Sequence, residues 1–283
     1  MTDTDSRGSI VVPSGSPNSA VAVHRSLGKR GIHTIGVSER EGAPSFTSRY
    51  CGESVVVPDP GTDLAGYKQA LLTLAQRPGV RTVVPLREED AFVLAKYRSA
   101  FERAGTVFGP SLDQLAVAHD GLRLRRLAAE AGVAVPETAR YDEVDDWDRE
   151  LLVKPRYAVL CREYLPDRSA DGVEGTGNPE FVEPGRKPDE SRLREEMGHL
   201  PLVQEYVRGP QYSFRALYDD GEAVVTSQKR LVRGYKYARG PSVFHRAVDR
   251  PGLAESGTRL LDALDWHGPA SVQFIRDRDS GEY

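Results

Sequence analysis

The most suggestive chemistry in the sequence lies where a short apolar stretch ends in a lysine. Leu151, Leu152 and Val153 are followed at once by Lys154 and then by Pro155. Three apolar residues predict a buried strand, and the proline, which cannot donate to a strand ladder, predicts its end. Such a strand would hold the lysine in a fixed place, from which its ammonium can reach a phosphate as a point charge. The alternative is an ordinary strand end with a solvated lysine, so the interpretation depends on residues further downstream.

The elements around this lysine predict an α/β region followed by an α+β region. Residues 1–8 are polar and predict a disordered tail. Over residues 9–110, short apolar strands alternate with helical patterns, which predicts a doubly wound, Rossmann-like domain with a parallel sheet. Residues 111–190 would form a first α+β subdomain, with a polar insertion at 157–188 that is either a functional flap or disordered. Residues 191–283 would form a second subdomain.

Several individual elements carry clear signals. The pattern predicts one helix over Glu88–Ala104, and a second helical stretch that breaks near residues 119–121. The Asp220-Gly221 pair predicts a tight hairpin turn, because these residues tolerate a positive φ. Gly268–Ile275 reads as a strand, and Glu282–Tyr283 resembles the start of a return strand.

Composition limits the classes of function. The 283 residues carry a net charge of −4, which argues against nucleic acid as the main partner, because phosphate backbones select basic surfaces. The two cysteines, Cys51 and Cys161, are far apart and form no C-x-x-C motif, which favours a reducing, cytoplasmic compartment without a thiolate zinc site. No apolar run is long enough to span a membrane. Small-molecule partners are therefore expected, and a homodimer is left open.

A dinucleotide site in the first domain is an alternative. The first predicted strand is followed by a turn with a single glycine, Gly15, while Pro17 occupies the middle of the expected G-x-G-x-x-G. Glu39 lies near the position of a ribose-binding acid. This pattern keeps an NAD-dependent oxidoreductase as one hypothesis; the other reading of Glu39 is a solvated loop acid.

An ordered set of five stretches identifies a family resemblance. In chain order the stretches are Ala131–Thr138, Leu151–Arg156 (LLVKPR), Val203–Gly209 (VQEYVRG), the basic segment Ser227–Gly240, and Gly268–Phe274 (G-x-x-x-V-Q-F). Together with the Rossmann-like start, this order resembles the ATP-grasp superfamily over residues 9–283. The nearest branch is similar to the large subunit of carbamoyl-phosphate synthetase and to carboxylate–amine ligases.

The resemblance implies a fold and a reaction. ATP would lie between two α+β subdomains and transfer its γ-phosphate to a substrate carboxylate, and an amine or thiol would then displace phosphate from the acylphosphate. In such a transfer the protein positions the reactants and neutralises charge with cations and Mg²⁺. The implied enzyme is an ATP-dependent carboxylate–amine ligase with ATP and Mg²⁺ as cofactors.

The resemblance also assigns nucleotide contacts. Lys154 matches the strand lysine that contacts the α-phosphate, and Glu205 and Val207 match the hinge that reads the adenine edge. Gln211 falls where the family often has a ribose-binding glutamate. We expect the Lys154 ammonium and the stretch Gln204–Val207 to meet across a nucleotide cleft.

A second set of residues would handle phosphates and metal. Lys229 and Arg230 would face the phosphates or an anionic substrate, with Lys236 and Arg239 as second candidates; the alternative is that the basic hairpin is a solvated surface. Gln273 matches a Mg²⁺ ligand, since an amide oxygen can bind a hard cation although it brings no charge. Its alternative is an inward strand glutamine bonded to a neighbour.

Three features depart from the family pattern. Asp120 is followed by Gly121 instead of a basic residue, so Arg123 or Arg125 would have to take that role. Residues 157–164 contain no glycine, so a phosphate loop there would be remodelled. The family's Glu-x-Asn-Pro-Arg segment, which supplies further Mg²⁺ ligands, would follow Tyr283. We therefore expect a truncated product with weakened nucleotide binding and impaired turnover, and an inactive ATP-binding subunit of the same fold is the alternative.

Overall fold

The computed structural model describes residues 8–13, 19–106, 109–236 and 239–283. The strands are β1 (Ser9–Pro13), β2 (His33–Ser38), β3 (Glu53–Val56), β4 (Val80–Val83), β5 (Thr138–Arg140), β6 (Leu151–Lys154), β7 (Val159–Leu160), β8 (Glu174–Gly175), β9 (Glu180–Val182), β10 (Leu202–Glu205), β11 (Gln211–Asp219), β12 (Glu222–Lys236), β13 (Arg239–Ala247) and β14 (Gly268–Ile275). The helices are α1 (Ser19–Gly28), α2 (Leu64–Ala75), α3 (Glu88–Lys96), α4 (Arg98–Arg103), α5 (Leu112–Ala118), α6 (Gly121–Glu130), α7 (Glu190–Met197) and α8 (Pro251–Ala263).

The chain divides into two units. Unit 1 comprises Met1–Leu115 together with Val159–Gly175, and unit 2 comprises Ala116–Ala158 together with Thr176–Tyr283. The predicted insertion at 157–188 is therefore shared between the units, and it contains the short strands β7, β8 and β9. The polar composition of this segment favours a flap or disorder. Strands of two or three residues leave almost no periodic signal, so the sequence does not reveal β7, β8 and β9.

Unit 1 is built on a parallel sheet with strand order β3-β2-β1-β4. This is the arrangement that alternating strands and helices predict, because parallel neighbours need a crossover between them. The strand residues Val11 and Val37 and the helix residues Tyr67 and Phe92 are completely buried in its core.

The segment Val159–Gly175 is fixed to unit 1 by backbone and side-chain contacts. Leu64 N–H donates to the Asp171 carbonyl at 2.8 Å, and Val173 N–H donates to the Pro60 carbonyl at 2.8 Å. A salt bridge joins Lys96 to Glu163 at 2.8 Å. These contacts connect residues that are far apart in the chain, so local sequence patterns do not predict them.

The first sheet of unit 2 is antiparallel, with strand order β5-β10-β6-β9. One of its faces forms a core in which Leu151 and Val153 of β6 pack with Leu193 and Met197 of α7. Helix α7 begins after Asp189, whose side chain accepts from Arg192 N–H at 2.7 Å.

The second sheet of unit 2 has strand order β13-β12-β11-β14 and is also antiparallel. One face is covered by α8, where Phe214 of β11 packs against Gly257. The hairpin turn between β11 and β12 has positive φ at Asp220 (44°) and Gly221 (82°), so the turn predicted from Asp-Gly is confirmed.

Three other elements show how far local signals extend. Gly268–Ile275 has the predicted bounds, whereas the predicted helix Glu88–Ala104 is interrupted at Tyr97 and forms α3 and α4. Glu282–Tyr283 does not form a strand. Within the described residues, no helix has both the length and the apolar character needed to cross a membrane.

The contact between α8 and β11 makes a stability prediction. A Cβ added at Gly257 would lie 2.3 Å from Phe214 Cδ1, whereas one added at Gly252 in the same helix would lie 3.7 Å from its nearest neighbour, Tyr283. Gly257→Ala should destabilise unit 2 by about 1–3 kcal/mol through overpacking. Gly252→Ala should leave stability unchanged or raise it by up to about 1 kcal/mol, because alanine favours helix. Denaturant unfolding of both variants checks this, and equal stabilities would contradict the packing described.

Candidate functional site

Two cations converge on one glutamine oxygen in the first sheet of unit 2. Lys154 Nζ donates to Gln204 Oε1 at 3.0 Å, and Arg125 Nη2 of α6 donates to the same oxygen at 2.8 Å. Lys154 pairs with Leu202, and Gln204 lies two residues further along β10, so both side chains are on the face opposite the Leu151–Val153 core. Strands β6 and β10 are direct neighbours, so Lys154 and Gln204 meet on one face of a sheet; the expectation that they meet across a cleft was wrong.

The cluster carries positive charge without a carboxylate. Burial and the neighbouring Arg125 guanidinium together lower the pKa of Lys154 to about 7. Burial also lowers the pKa of Arg125, whose buried Nε has no hydrogen-bond partner among the described residues. Arg125 Nη1 donates to the Gly121 carbonyl at 2.6 Å, so both cations are held by neutral oxygens. Such a group favours the arrival of an anion, because an anion removes the repulsion.

The first turn of α6 determines where Arg125 lies. Asp120 caps the helix by accepting from Leu122 N–H at 3.0 Å and forms a two-pronged ion pair with Arg156, at 2.7 and 3.0 Å. Burial alone would raise the pKa of Asp120, but the hydrogen bonds from Arg156 and from the Leu122 backbone hold it below its ordinary value. A Cβ at Gly121 would lie 3.0 Å from Leu202 Cδ1 and from Arg125 Nη1. Glycine after Asp120 therefore lets the helix approach the sheet closely.

Arg125, and not Arg123, lies beside Lys154. Two residues along a helix correspond to a rotation of about 200°, so only one of these side chains can face the sheet. Arg123 is exposed. The two arginines were alternatives for one role, and the helix phase separates them.

The hinge stretch is joined to both sheets of unit 2. Tyr206 N–H donates to the Glu150 carbonyl at 3.2 Å, and Arg276 N–H donates to the Pro210 carbonyl at 3.0 Å. A Cβ at Gly209 would lie 1.9 Å from the Arg276 carbonyl oxygen, which explains the glycine of the VQEYVRG stretch. Val207 is partly buried in this segment.

The side chains around the hinge divide between the faces of the first sheet. Glu205 pairs with Leu151, so its carboxylate lies on the face opposite Lys154, and any contact of Glu205 with a ligand on the Lys154 face falls to its backbone. Phe181 pairs with Leu152 and therefore lies on the Lys154 face, 41% exposed, with its ring centroid 4.7 Å from that of Tyr206. The Lys154 face thus carries an exposed aromatic ring as well as the cations.

The second sheet presents an open face that we call the polar face. It consists of two cross-strand rows, Lys229–Ser213–Gln273 and Ser227–Arg215–Ser271, together with Gln211. Paired residues of antiparallel strands share a face, and the rows are two residues apart along β11. Gln211 Nε2 donates to Gln273 Oε1 at 3.0 Å. Gln273 is thus an exposed glutamine bonded to a neighbour.

Only one of the predicted basic pair lies on the polar face. Arg230 pairs with Tyr212, so its side chain is on the α8 side of the sheet, while Lys229 pairs with Ser213 on the polar face. Lys229 and Arg230 were both predicted to face the phosphates or an anionic substrate, but adjacent residues of a strand point to opposite faces, so the two cannot share one face. Lys236 and Arg239, the second candidates, pair with each other near the ends of β12 and β13, and their side chains lie outside the described part.

The donors around Gln273 do not suit Mg²⁺. This ion takes near-octahedral oxygen ligands that normally include one or two carboxylates. The two rows of the polar face contain no carboxylate, the Gln273 oxygen already accepts from Gln211, and Lys229 and Arg215 add two positive charges. The described part of the chain does bring Asp219, Asp220 and His267 together, but this group lies at the far end of the β11–β12 hairpin.

Ser213 and Arg215 were missed in the sequence, and Gln204 was included in the hinge stretch without a role of its own. Gln204 carried a usable signal, because a glutamine inside the apolar strand Leu202–Glu205 must find a hydrogen-bond partner once it is buried. Ser213 and Arg215 alternate with apolar residues in β11, and this alternation indicates an open face. The pairing that places them opposite Lys229 and Gln273 could not be derived from periodicity.

The dinucleotide alternative depends on Glu39 and on the first turn. Arg87 Nη1 contacts both Glu39 oxygens at 3.3 Å and also pairs with the buried Asp90 at 2.9 Å, while Tyr67 donates to Asp90 at 2.6 Å. The carboxylate of Glu39 therefore has a partner within unit 1. The turn that contains Gly15 and Pro17 lies outside the described residues.

The Lys154 cluster makes a pH-dependent prediction. The pKa of Lys154 in the folded protein is about 7, below the ordinary lysine value of 10.5. Between these two pH values the unfolded chain therefore binds more protons than the folded chain. The free energy of unfolding must then rise with pH across that interval. Lys154→Met should be more stable than wild type near pH 7, and its advantage should shrink towards pH 10. Lys154→Arg keeps a buried cation that does not titrate in this range. Its stability should therefore lose the pH dependence caused by Lys154, and it should not rise above that of wild type near pH 7. Urea unfolding of the three proteins over this range is the measurement, and parallel curves for wild type and Lys154→Met would contradict the buried, charged lysine.

Comparison with solved structures identifies the fold. No protein-family model matches the sequence, and no curated protein sequence matches it either. An L-amino acid ligase from Bacillus licheniformis superposes with a TM-score of 0.66 at 15% identity, covering 97% of this chain and 64% of that chain. N5-carboxyaminoimidazole synthetase from Staphylococcus aureus complexed with ADP gives 0.61 at 14% identity, covering 96% of this chain and 67% of that one. The biotin carboxylase subunit of pyruvate carboxylase gives 0.54 at 17%, covering 96% of this chain and 62% of that one.

These coverages mean that the chain spans only about two thirds of the solved chains it resembles. At such low identities the likeness concerns the fold, and the branch that the sequence suggested stays a prediction. All three solved chains are ATP-grasp ligases. The resemblance predicted from the ordered stretches is therefore confirmed: this chain has the ATP-grasp fold.

Proposed function

We propose that this protein binds ATP and uses it to join a carboxylate to an amine. The observation that carries the proposal is the convergence of Lys154 and Arg125 on Gln204, on the face of the first sheet of unit 2 against which α6 packs, in an ATP-grasp fold. Two partly buried cations without a carboxylate suit a phosphate group, since charge-assisted hydrogen bonds to phosphate are short and strong.

The same face offers a place for the base. Phe181 is exposed on the Lys154 face, and Tyr206 contacts its ring. Phe181 lies opposite Leu152, two residues from Lys154 along β6, so Phe181 and Lys154 are diagonal neighbours of an antiparallel pair, roughly 7–8 Å apart. Such a separation suits the base and a phosphate of one nucleotide. In this arrangement Lys154 and Arg125 hold the phosphates, and the backbone of Glu205 and Val207 reads the edge of the base.

The proposed reaction has two balanced steps. A carboxylate oxygen attacks the γ-phosphorus, the bond from that phosphorus to the β-phosphate oxygen breaks, and ADP leaves. The amine nitrogen then attacks the acyl carbon, the carbon–oxygen bond to phosphate breaks, and inorganic phosphate and a proton are released. The protein contributes position and positive charge to both steps. No step here uses Mg²⁺, because the donors around Gln273 do not support it.

The names of two structural neighbours suggest a substrate class to test. One neighbour is named an L-amino acid ligase and another a carboxyaminoimidazole synthetase. We propose a small carboxylic acid and a small amine as substrates, with amino acids as the first compounds to test.

A second candidate function is ATP binding without turnover. It is favoured by the absence of a carboxylate from the two rows of the polar face, next to Gln273. Binding and turnover measured on the same preparation separate the candidates: ATP binding together with ADP release that depends on both substrates supports the ligase, and binding without ADP release supports the second candidate.

The prediction concerns Lys154 directly. Lys154→Met should weaken ATP binding roughly 10-fold to 100-fold, the effect of one lost hydrogen bond to a charged group. Isothermal titration calorimetry with ATP and with ADP is the measurement. Lys29→Met is the matched control, because Lys29 is exposed near the end of α1 in unit 1 and should leave the affinity unchanged.

Two outcomes would contradict the proposal. One is unchanged ATP affinity in folded Lys154→Met. The other is a melting temperature that rises with NADH and not with ATP, which would favour the dinucleotide alternative, since a ligand of the native state raises the melting point by mass action.

A further inference from the structure

The polar face of the second sheet has the composition of an anion site. Its central row places the Lys229 ammonium, the Ser213 hydroxyl and the Gln273 amide on three neighbouring strands, and the next row adds Arg215 between two serines. Cross-strand neighbours of this kind have Cβ atoms about 5 Å apart. The polar groups therefore fall within the reach of a single phosphate or a short chain of phosphates.

The charges on this face reinforce each other. Lys229 is partly buried, and burial together with the Arg215 guanidinium lowers its pKa. Ser213 between them is only 5% exposed. Since the Oε1 of Gln273 accepts from Gln211, the Nε2 of Gln273 is the group of that amide left to donate to a ligand. The face presents donors and cations, and its two rows supply no anionic oxygen.

A divalent cation and this face repel each other. Carboxylates normally offset the charge of Mg²⁺, and here two side-chain cations occupy the neighbouring positions instead. The same two cations attract an oxyanion, and they do so at short range, where solvent screening is weakest.

We propose that the polar face binds a phosphate oxyanion directly, with Lys229 and Arg215 in the place of a bridging divalent cation. The phosphate belongs either to the nucleotide or to a phosphorylated carboxylate. The inference rests on the proposed function for the origin of the phosphate, but the binding chemistry depends only on the residues of the two rows.

The test is calorimetry on the full chain with inorganic tripolyphosphate, once in EDTA and once with excess Mg²⁺. Binding is expected in EDTA, and it should not be tighter with Mg²⁺, because the metal neutralises the charge that the face recognises. Parallel titrations with ATP and with acetyl phosphate distinguish the two sources of phosphate. The compound whose binding is weakened by Arg215→Met is the one whose phosphate reaches the polar face.

Variants assign the effect to the face. Arg215→Met and Lys229→Met should each weaken tripolyphosphate binding in EDTA at least 10-fold, and Arg215→Lys and Lys229→Arg should restore part of it. Arg246→Met is the matched control: Arg246 is exposed on β13 and pairs with Arg230, which places it on the other side of the same sheet. The affinity of Arg246→Met for tripolyphosphate should stay within about twofold of wild type. Circular dichroism checks that each variant is folded. If a methionine variant does not fold, Arg215→Lys and Lys229→Arg still test the contribution of each position to binding.

The outcomes separate this inference from the proposed function. Tripolyphosphate binding that is absent in EDTA and restored by Mg²⁺, or that is unaffected by Arg215→Met and Lys229→Met, overturns the inference even if ADP is formed. Binding in EDTA that requires Arg215 supports it even if no ADP is formed, in which case only the proposed ligase activity fails.

Discussion

The repulsion between Lys154 and Arg125 is the constraint on which the candidate site depends. Both groups donate to one amide oxygen, which carries only a partial charge. An amide can orient two cations, but it cannot neutralise them, so the native structure holds an unfavourable pair in a partly buried place. Folded proteins tolerate such local conflicts mainly at functional positions, where a ligand completes the set of interactions. Burial is the main cause of the low pKa of Lys154, and the Arg125 guanidinium lowers it further.

Two glycines stand where the backbone approaches its neighbours closely. Gly121 lies in the first turn of α6 against Leu202, and Arg125, one turn later, reaches Gln204. At Gly209 the approach to the Arg276 carbonyl excludes any Cβ, whereas a Cβ at Gly121 would be tight against Leu202 and Arg125. Glycine after Asp120, where the resemblance implies a basic residue, thus fits the close packing of α6 on the sheet.

The sequence predicts those parts of the fold whose signals are local. The strand that ends at Lys154, the strand Gly268–Ile275 and the Asp220-Gly221 turn depend on neighbouring residues, and the structure contains each of them. The sequence does not predict where Val159–Gly175 is anchored, because the backbone bonds that fix it reach residues near position 60. Short strands with distant partners have no periodicity from which to derive them.

The candidate site shows a second limit, which concerns the direction of side chains. Lys229 and Arg230 look equivalent in a basic segment, yet the alternation of a strand sends them to opposite faces. Arg123 and Arg125 look equivalent in a helix, yet the helical rotation leaves only Arg125 at the sheet. In both pairs the residue types look alike in the sequence, and strand alternation or helix phase decides which member lies on the face of the candidate site. Register follows from pairing and packing, which a single sequence does not contain.

Net charge is a poor guide to a site of this size. The chain carries a net charge of −4, which argues against a large polyanion as its partner. A single phosphate responds to the field within about 8–10 Å, the distance over which salt screens charges at ordinary ionic strength. The charged side chains of the first group are Lys154 and Arg125, and those of the two rows of the polar face are Lys229 and Arg215. The nearby carboxylate of Asp120 is paired with Arg156. An acidic protein can therefore carry local groups of cations, because strand pairing and helix packing bring them together in spite of the overall charge.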